Sequence, residues 1–360
     1  MKKDNKKRVK EKIEITLRIL LLFIIVKNIG YSEENLQDIE TGIEIKNKSN
    51  EVIDVSDINH GAYKEVNGLK IENSENLTVN IKEINTTLKK KTGGATGIIW
   101  GKGLENIGTK NEVYMSDGLK INVTTGELGG NATTLVGVTN QGKLTLGENT
   151  KINVLINTKE VGSSSTAYGA ELKYSSSTYF GKGSEINVSN STGIAVGISV
   201  DSTGFPNKSN VFIGDDVKIR AEVREAKSEI KNGHWALGIY QLLGDTITIG
   251  NGLILETEIT LSSGVSGQSY AVYNMANGKI NIGNNAAISA KGTNASSVMG
   301  LNNNSGKMNI GKNSQISAEG TDASKVYTVC NDGLSSEVTI EDGGTITAIG
   351  ENTGFVMGVV

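Results

Sequence analysis

Two stretches of the chain nearly repeat each other over two dozen residues. Gly278–Leu301 reads GKINIGNNAAISAKGTNASSVMGL, and Gly306–Val329 reads GKMNIGKNSQISAEGTDASKVYTV. Self-similarity at a fixed period restricts a chain to architectures in which one small unit stacks on the next. Further copies are Leu144–Val154 (LTLGENTKINV), Val211–Val223 (VFIGDDVKIRAEV), Ile247–Ile259 (ITIGNGLILETEI) and Val338–Ala348 (VTIEDGGTITA). Weaker ones are Val113–Val123 and Thr178–Val188, and Tyr63–Asn73 reads as an earlier copy still. The shared pattern is apolar-x-apolar-Gly, several polar residues, then Ile-x-apolar. Its Gly position falls at residues 116, 147, 181, 214, 250, 283, 311 and 341, a period near 32, with Ser116 and Glu341 in place of Gly.

Each copy holds three short runs with strand character; in one they are Lys279–Ile282, Ala287–Ala290 and Ser297–Leu301. Alternation puts Ile280 and Ile282, or Ile288 and Ala290, on one face and Asn281 or Ser289 on the other. Gly, Asn, Asp and Ser mark the joints, where positive φ is often required. Such a unit cannot bury its own apolar face, but stacked coils can. The expectation is an all-β, right-handed parallel β-helix with about three short strands per coil of roughly 32 residues. Ile152, Ile186, Ile219, Ile288, Ile316 and Ile346 should form one interior ladder. Ile213, Ile249, Ile282, Ile310 and Ile340 should form another. Excess length should sit in turns, where insertions cost little.

Composition agrees. Gly occurs 45 times, Pro once, Phe five times and Trp twice, which suits short strands and tight turns without a large aromatic core. The net charge of −3 supplies no basic face for nucleic acid. Cys330 is the one cysteine, so no intramolecular disulfide can form.

Residues 1–32 read as a signal peptide. Lys2, Lys3, Lys6, Lys7, Arg8, Lys10, Lys12 and Arg18 form a positive region ahead of the apolar core Ile19–Val26, and Gly30 and Ser32 supply small residues before a cleavage point at Glu33. That core is about half the ~20 residues that span a bilayer. Residues 33–112 are expected to form irregular N-terminal coils that cap the first edge, and 113–360 the regular repeats. The final FVMGVV (355–360) reads as a strand of an unfinished coil, so the chain is expected to continue into further coils or a barrel. Glu222–Asn232 is charged and reads as a turn of helix or a protruding loop, and Lys89–Lys91 as a solvated loop.

The leader, the lack of cysteine and repeats of the form GKINIG…ISA…SSVMG resemble the passenger domains of bacterial autotransporters, over about 110–360 closely and 33–110 loosely. The resemblance implies a right-handed β-helix passenger, outer-membrane export, and roles in adhesion or aggregation. Such passengers share no fixed functional residues, so none is carried over. Trimeric adhesin heads use repeats about half as long, and the third strand per repeat argues for the single-chain form. The opening module of two-partner secreted adhesins is not found in 33–112.

Site motifs are few. Gly137–Leu144 (GVTNQGKL) approaches a phosphate loop, but Leu144 replaces the Mg²⁺-binding hydroxyl and a strand follows where a helix should begin. The same Gly-Lys turn recurs at Gly278-Lys279 and Gly306-Lys307. His60 and His234 are read as loop residues and, with Cys330, make no zinc set. Asp215 and Asp216, with Asp245 a coil later, are the candidate carboxylates of a polysaccharide lyase or hydrolase, which needs clustered acids. Asp215 and Asp216 stand after the shared Gly, which points to a solvated turn. The sequence thus gives no catalytic, cofactor or metal residues. It is expected to be a non-enzymatic, exported surface protein with a structural or adhesive role. Its partners would be protein or glycan on a host or neighbouring cell. It would meet the outer membrane only through a translocator outside this chain. A polysaccharide-degrading enzyme or an inert surface spacer are the alternatives.

Overall fold

A computed structural model describes residues 39–360 apart from 63–64, 89–98, 126–132, 158–164, 204–207, 225–232, 276 and 334. Among the described residues there are strands and turns and no helix. The strands form three parallel sheets. Sheet A has eleven strands and begins with Ile39–Lys46; sheets B and C have ten each and begin with Val52–Asp54 and Ile58–Ala62. In every sheet each strand pairs with the one three places further along the chain. The chain therefore visits A, B and C in turn and starts again one rung up, which is a β-solenoid.

The side-chain period of two decides which residues enter the lumen. In Lys151–Ile156, Ile152, Val154 and Ile156 are buried, whereas Lys151 and Leu155 are exposed. Register then stacks like on like. Ile152 pairs with Ile186, Ile186 with Ile219, Ile288 with Ile316 and Ile316 with Ile346. Leu255 fills the rung between Ile219 and Ile288, and Ile58, Ile84 and Ile121 extend the column towards the N-terminus. The second expected ladder also forms, Ile213–Ile249–Ile282–Ile310–Ile340, preceded by Leu146 and Phe180. Each fully buried rung of this kind contributes about 1.5–3 kcal/mol.

Residues 39–112 share this architecture, with one strand per sheet in each coil. Steps between paired residues run from 26 to 37 residues in this part. Tyr63–Asn73, read as a copy of the shared pattern, belongs elsewhere: its strand Glu65–Glu72 lies in sheet A, and the sheet B strand of that coil is Leu77–Asn80. The pattern apolar-x-apolar occurs in all three sheets, so a degenerate copy is ambiguous until its neighbours are placed. Strands in sheets A and C also run about three residues longer than the apolar alternation marks, as in Ala287–Thr293 and Ser297–Asn304, because backbone pairing continues through polar residues.

Extra length gathers at the corner from sheet C to sheet A. Ten residues separate Leu88 from Ile99 and nine separate Arg224 from His234, against three between Thr293 and Ser297. The tight turns from sheet B to sheet C need left-handed backbone, and Asn149, Gly183, Asp216, Gly252, Asn285 and Asn313 occupy that position with φ between 55° and 70°. These residue types adopt positive φ at least cost.

Candidate functional site

Every wall of the solenoid offers an outward face, and sheet C carries the most ordered one. The residue after the interior isoleucine is Asn in five successive strands: Asn59, Asn85, Asn122, Asn153 and Asn187. Parallel register places them one rung apart, so each amide donates to the next. Asn85 Nδ2 reaches Asn59 Oδ1 at 2.8 Å, Asn122 reaches Asn85 at 2.7 Å, Asn153 reaches Asn122 at 2.9 Å and Asn187 reaches Asn153 at 3.1 Å. The ladder ends at Asn187 because Arg220 takes the next rung.

Two residues further along each strand runs a second outward column, Leu155–Ser189–Glu222–Glu258. Ser189 is short and its neighbours are long, so the face dips into a shallow notch of about 250 Å³ lined by Asn153, Leu155, Asn187, Ser189, Arg220 and Glu222. Arg220 Nη2 lies 3.6 Å from Glu222 Oε2 and 3.2 Å from Glu258 Oε2, and Arg224 pairs with Glu222 from the other side. The guanidinium is thereby held at the rim between the two carboxylates, and Glu222 has a second cation in Arg224. Such a set can donate and accept hydrogen bonds; no free acid and base pair flanks the notch among the described residues.

The residues weighed in the sequence fall elsewhere. Asp215 and Asp216 lie exposed in the turn from sheet B to sheet C, where Asp215 Oδ1 accepts the Asn251 backbone N–H at 2.7 Å. Asp245 is not in that turn. It is fully buried at the corner from sheet A to sheet B, with Oδ1 accepting the Ser209 backbone N–H at 2.7 Å and Oδ2 without a protein hydrogen-bond partner. Burial holds its carboxyl above the ordinary range, against opposing hydrogen bonds from Ser202 and Ser209. The histidines are not in loops. His60 lies within the strand Ile58–Ala62, and His234 opens the strand His234–Gln241, fully buried, accepting the Gly193 N–H on Nδ1 at 3.1 Å. Cys330 is half-buried in Lys325–Asp332. No group of three or more His, Cys, Asp or Glu side chains that could hold a metal occurs among the described residues. Gly137 sits inside the strand Thr133–Asn140, and Lys143 opens the next strand, so the glycines of GVTNQGKL serve sheet geometry. Residues 1–32, Lys89–Lys91 and 225–232 lie outside the described residues; Glu222–Arg224 end a strand of sheet C.

The amide ladder was not singled out in the sequence, although its signal is there: EIN at 83–85, KIN at 120–122 and 151–153, EIN at 185–187. The apolar members of the pattern set the lumen, and the polar residue between them carries the outer face.

Fold and faces together define a parallel β-solenoid with a hydrogen-bonded amide row on the outer face of sheet C. No protein-family description, curated protein or solved structure matches the chain.

Proposed function

We propose that this chain is an exported surface protein, an autotransporter-like passenger whose role is structural and adhesive in attachment to host or neighbouring cells. The observation that carries the reading is the stacking of one coil plan over three unbroken sheets, with most of the extra chain length at the corner from sheet C to sheet A. A stack of this kind is rigid along its axis, and its rungs repeat side chains in rows. Rows of Asn, Ser and Thr make weak contacts that gain strength by number. The basic and apolar leader at residues 1–32 supports export. The polysaccharide-degrading alternative needs carboxylates free to hold a cation or move a proton. Glu222 and Glu258 are instead bound by Arg220, which favours recognition over bond cleavage.

The test is attachment. Cells displaying the protein, and purified protein, should bind host extracellular matrix or neighbouring cells, and deletion should reduce attachment or clumping. No binding to any surface, with unchanged clumping after deletion, refutes it.

A further inference from the structure

We propose that the notch around Ser189 on the outer face of sheet C is a binding site for a single residue of a neutral glycan. The inference deepens the adhesive reading and rests on it.

The size comes from register. Ser189 lies one rung from Leu155 and one rung from Glu222 in the same outward column, so a short side chain is flanked by two long ones. The resulting space of about 250 Å³ suits one pyranose ring rather than an extended peptide. The chemistry of the walls differs from side to side. Leu155, 42% exposed, gives the notch one apolar wall. A sugar ring likewise has an apolar face of C–H groups and a rim of hydroxyls.

The polar walls are held in place before any ligand arrives. Asn187 spends one amide N–H on Asn153 and keeps the second, and the four preceding rungs fix the orientation of that ladder. Arg220 meets both carboxylates through Nη2, which leaves Nη1 and Nε without an ion pair among the described residues. Fixed donors lose little side-chain entropy on binding. Among the described residues, the face around the notch carries Arg220, Arg224, Lys151 and Lys218 against Glu222, Glu256, Glu258 and Glu185. That balance favours a neutral sugar over a sialic acid or a uronate.

The experiment uses the full chain and four immobilised neutral probes, polymers bearing galactose, glucose, mannose or N-acetylglucosamine, with sialyllactose and polygalacturonate as acidic arms. At least one neutral probe should retain the wild type. Ser189→Trp, which fills the notch, and Arg220→Ala, which removes its fixed donor, should each weaken that retention about tenfold, a loss near 1.4 kcal/mol. Lys291→Trp, on the same column two rungs beyond Glu222, should retain wild-type binding. Circular dichroism and thermal midpoints identify variants that fold, and Arg220→Ala decides the matter if Ser189→Trp does not. Retention by no neutral probe, retention by acidic probes only, or wild-type retention of both notch variants overturns the proposal. If cells still attach while free sugars fail to compete, the glycan site is wrong and the adhesive reading survives. If sugars bind but cells do not attach, the adhesive reading is wrong.

Discussion

Gly169 and Ile186 face each other across the lumen so closely that a Cβ built on Gly169 would lie 2.3 Å from Ile186 Cγ2 and 2.5 Å from the Gly197 carbonyl oxygen of the next rung. Neither neighbour can retreat, since Ile186 is one rung of the isoleucine ladder and Gly197 is backbone. Gly68, Gly103, Gly137, Gly197 and Gly238 meet Ile84, Ile121, Ile152, Ile219 and Leu255 in the same way, so a glycine column in sheet A complements the aliphatic column of sheet C. Gly169→Ala should destabilise the solenoid by about 1–3 kcal/mol through overpacking. Adding Ile186→Ala, which removes Cγ2, should change the stability by less than the sum of the two single effects, because the pair is in contact. Urea denaturation of the four chains measures both; an additive pair would disprove the contact.

Facing sets the weight of an aliphatic side chain. Ile186 is fully buried, whereas Leu155 in the neighbouring strand of sheet C points outward and is 42% exposed. Ile186→Ala should cost about 2–5 kcal/mol. Leu155→Ala should cost clearly less, because less packed surface is lost. Equal losses in denaturation would contradict the stacking account.

Asp245 should make stability fall as pH rises. Its carboxyl is held above the ordinary value of 3.8 by burial, so the folded state binds a proton more readily than the unfolded chain. The favourable share is complete below about pH 3.8 and is lost as pH climbs through the raised folded-state value. Several surface carboxylates act the other way; Glu112, for example, is lowered by its hydrogen bonds from Lys143 and Tyr114. The difference between wild type and Asp245→Asn isolates the buried group. Across that window the wild type should lose stability relative to the variant, and a constant difference would refute the assignment.

Turn chemistry gives a fourth expectation. Asn149 has φ of 55° in the turn from sheet B to sheet C, a position filled by Gly183 one rung on. Asn149→Gly should be nearly neutral. Asn149→Val should cost about 1–2 kcal/mol, the penalty of left-handed backbone for a β-branched side chain that lacks the local hydrogen bonding of Asn. Thermal melts of the two variants make the comparison.

Part of this molecule was legible in one dimension. The period, the strand triplet and the two isoleucine ladders follow from apolar alternation, because burial of every second residue is a local rule that needs no partner to be recognised. The turns likewise announce themselves through Gly, Asn and Asp, since positive φ is a property of single residues. The candidate site was not legible in the same way. Ser189, Leu155 and Arg220 lie on three strands more than thirty residues apart, and nothing in their own neighbourhoods distinguishes them.

The chain by itself therefore determined that coils would stack and which side chains would line the lumen. Tertiary structure decided what each coil sets beside the next: that an outer amide meets an amide until Arg220 interrupts the row, that Asp245 and His234 enter the interior, and that Glu65–Glu72 lies in sheet A. The physical reason is register. Alternation fixes whether a residue points in or out, but only the pairing of one rung with the next fixes its neighbours, and recognition depends on neighbours.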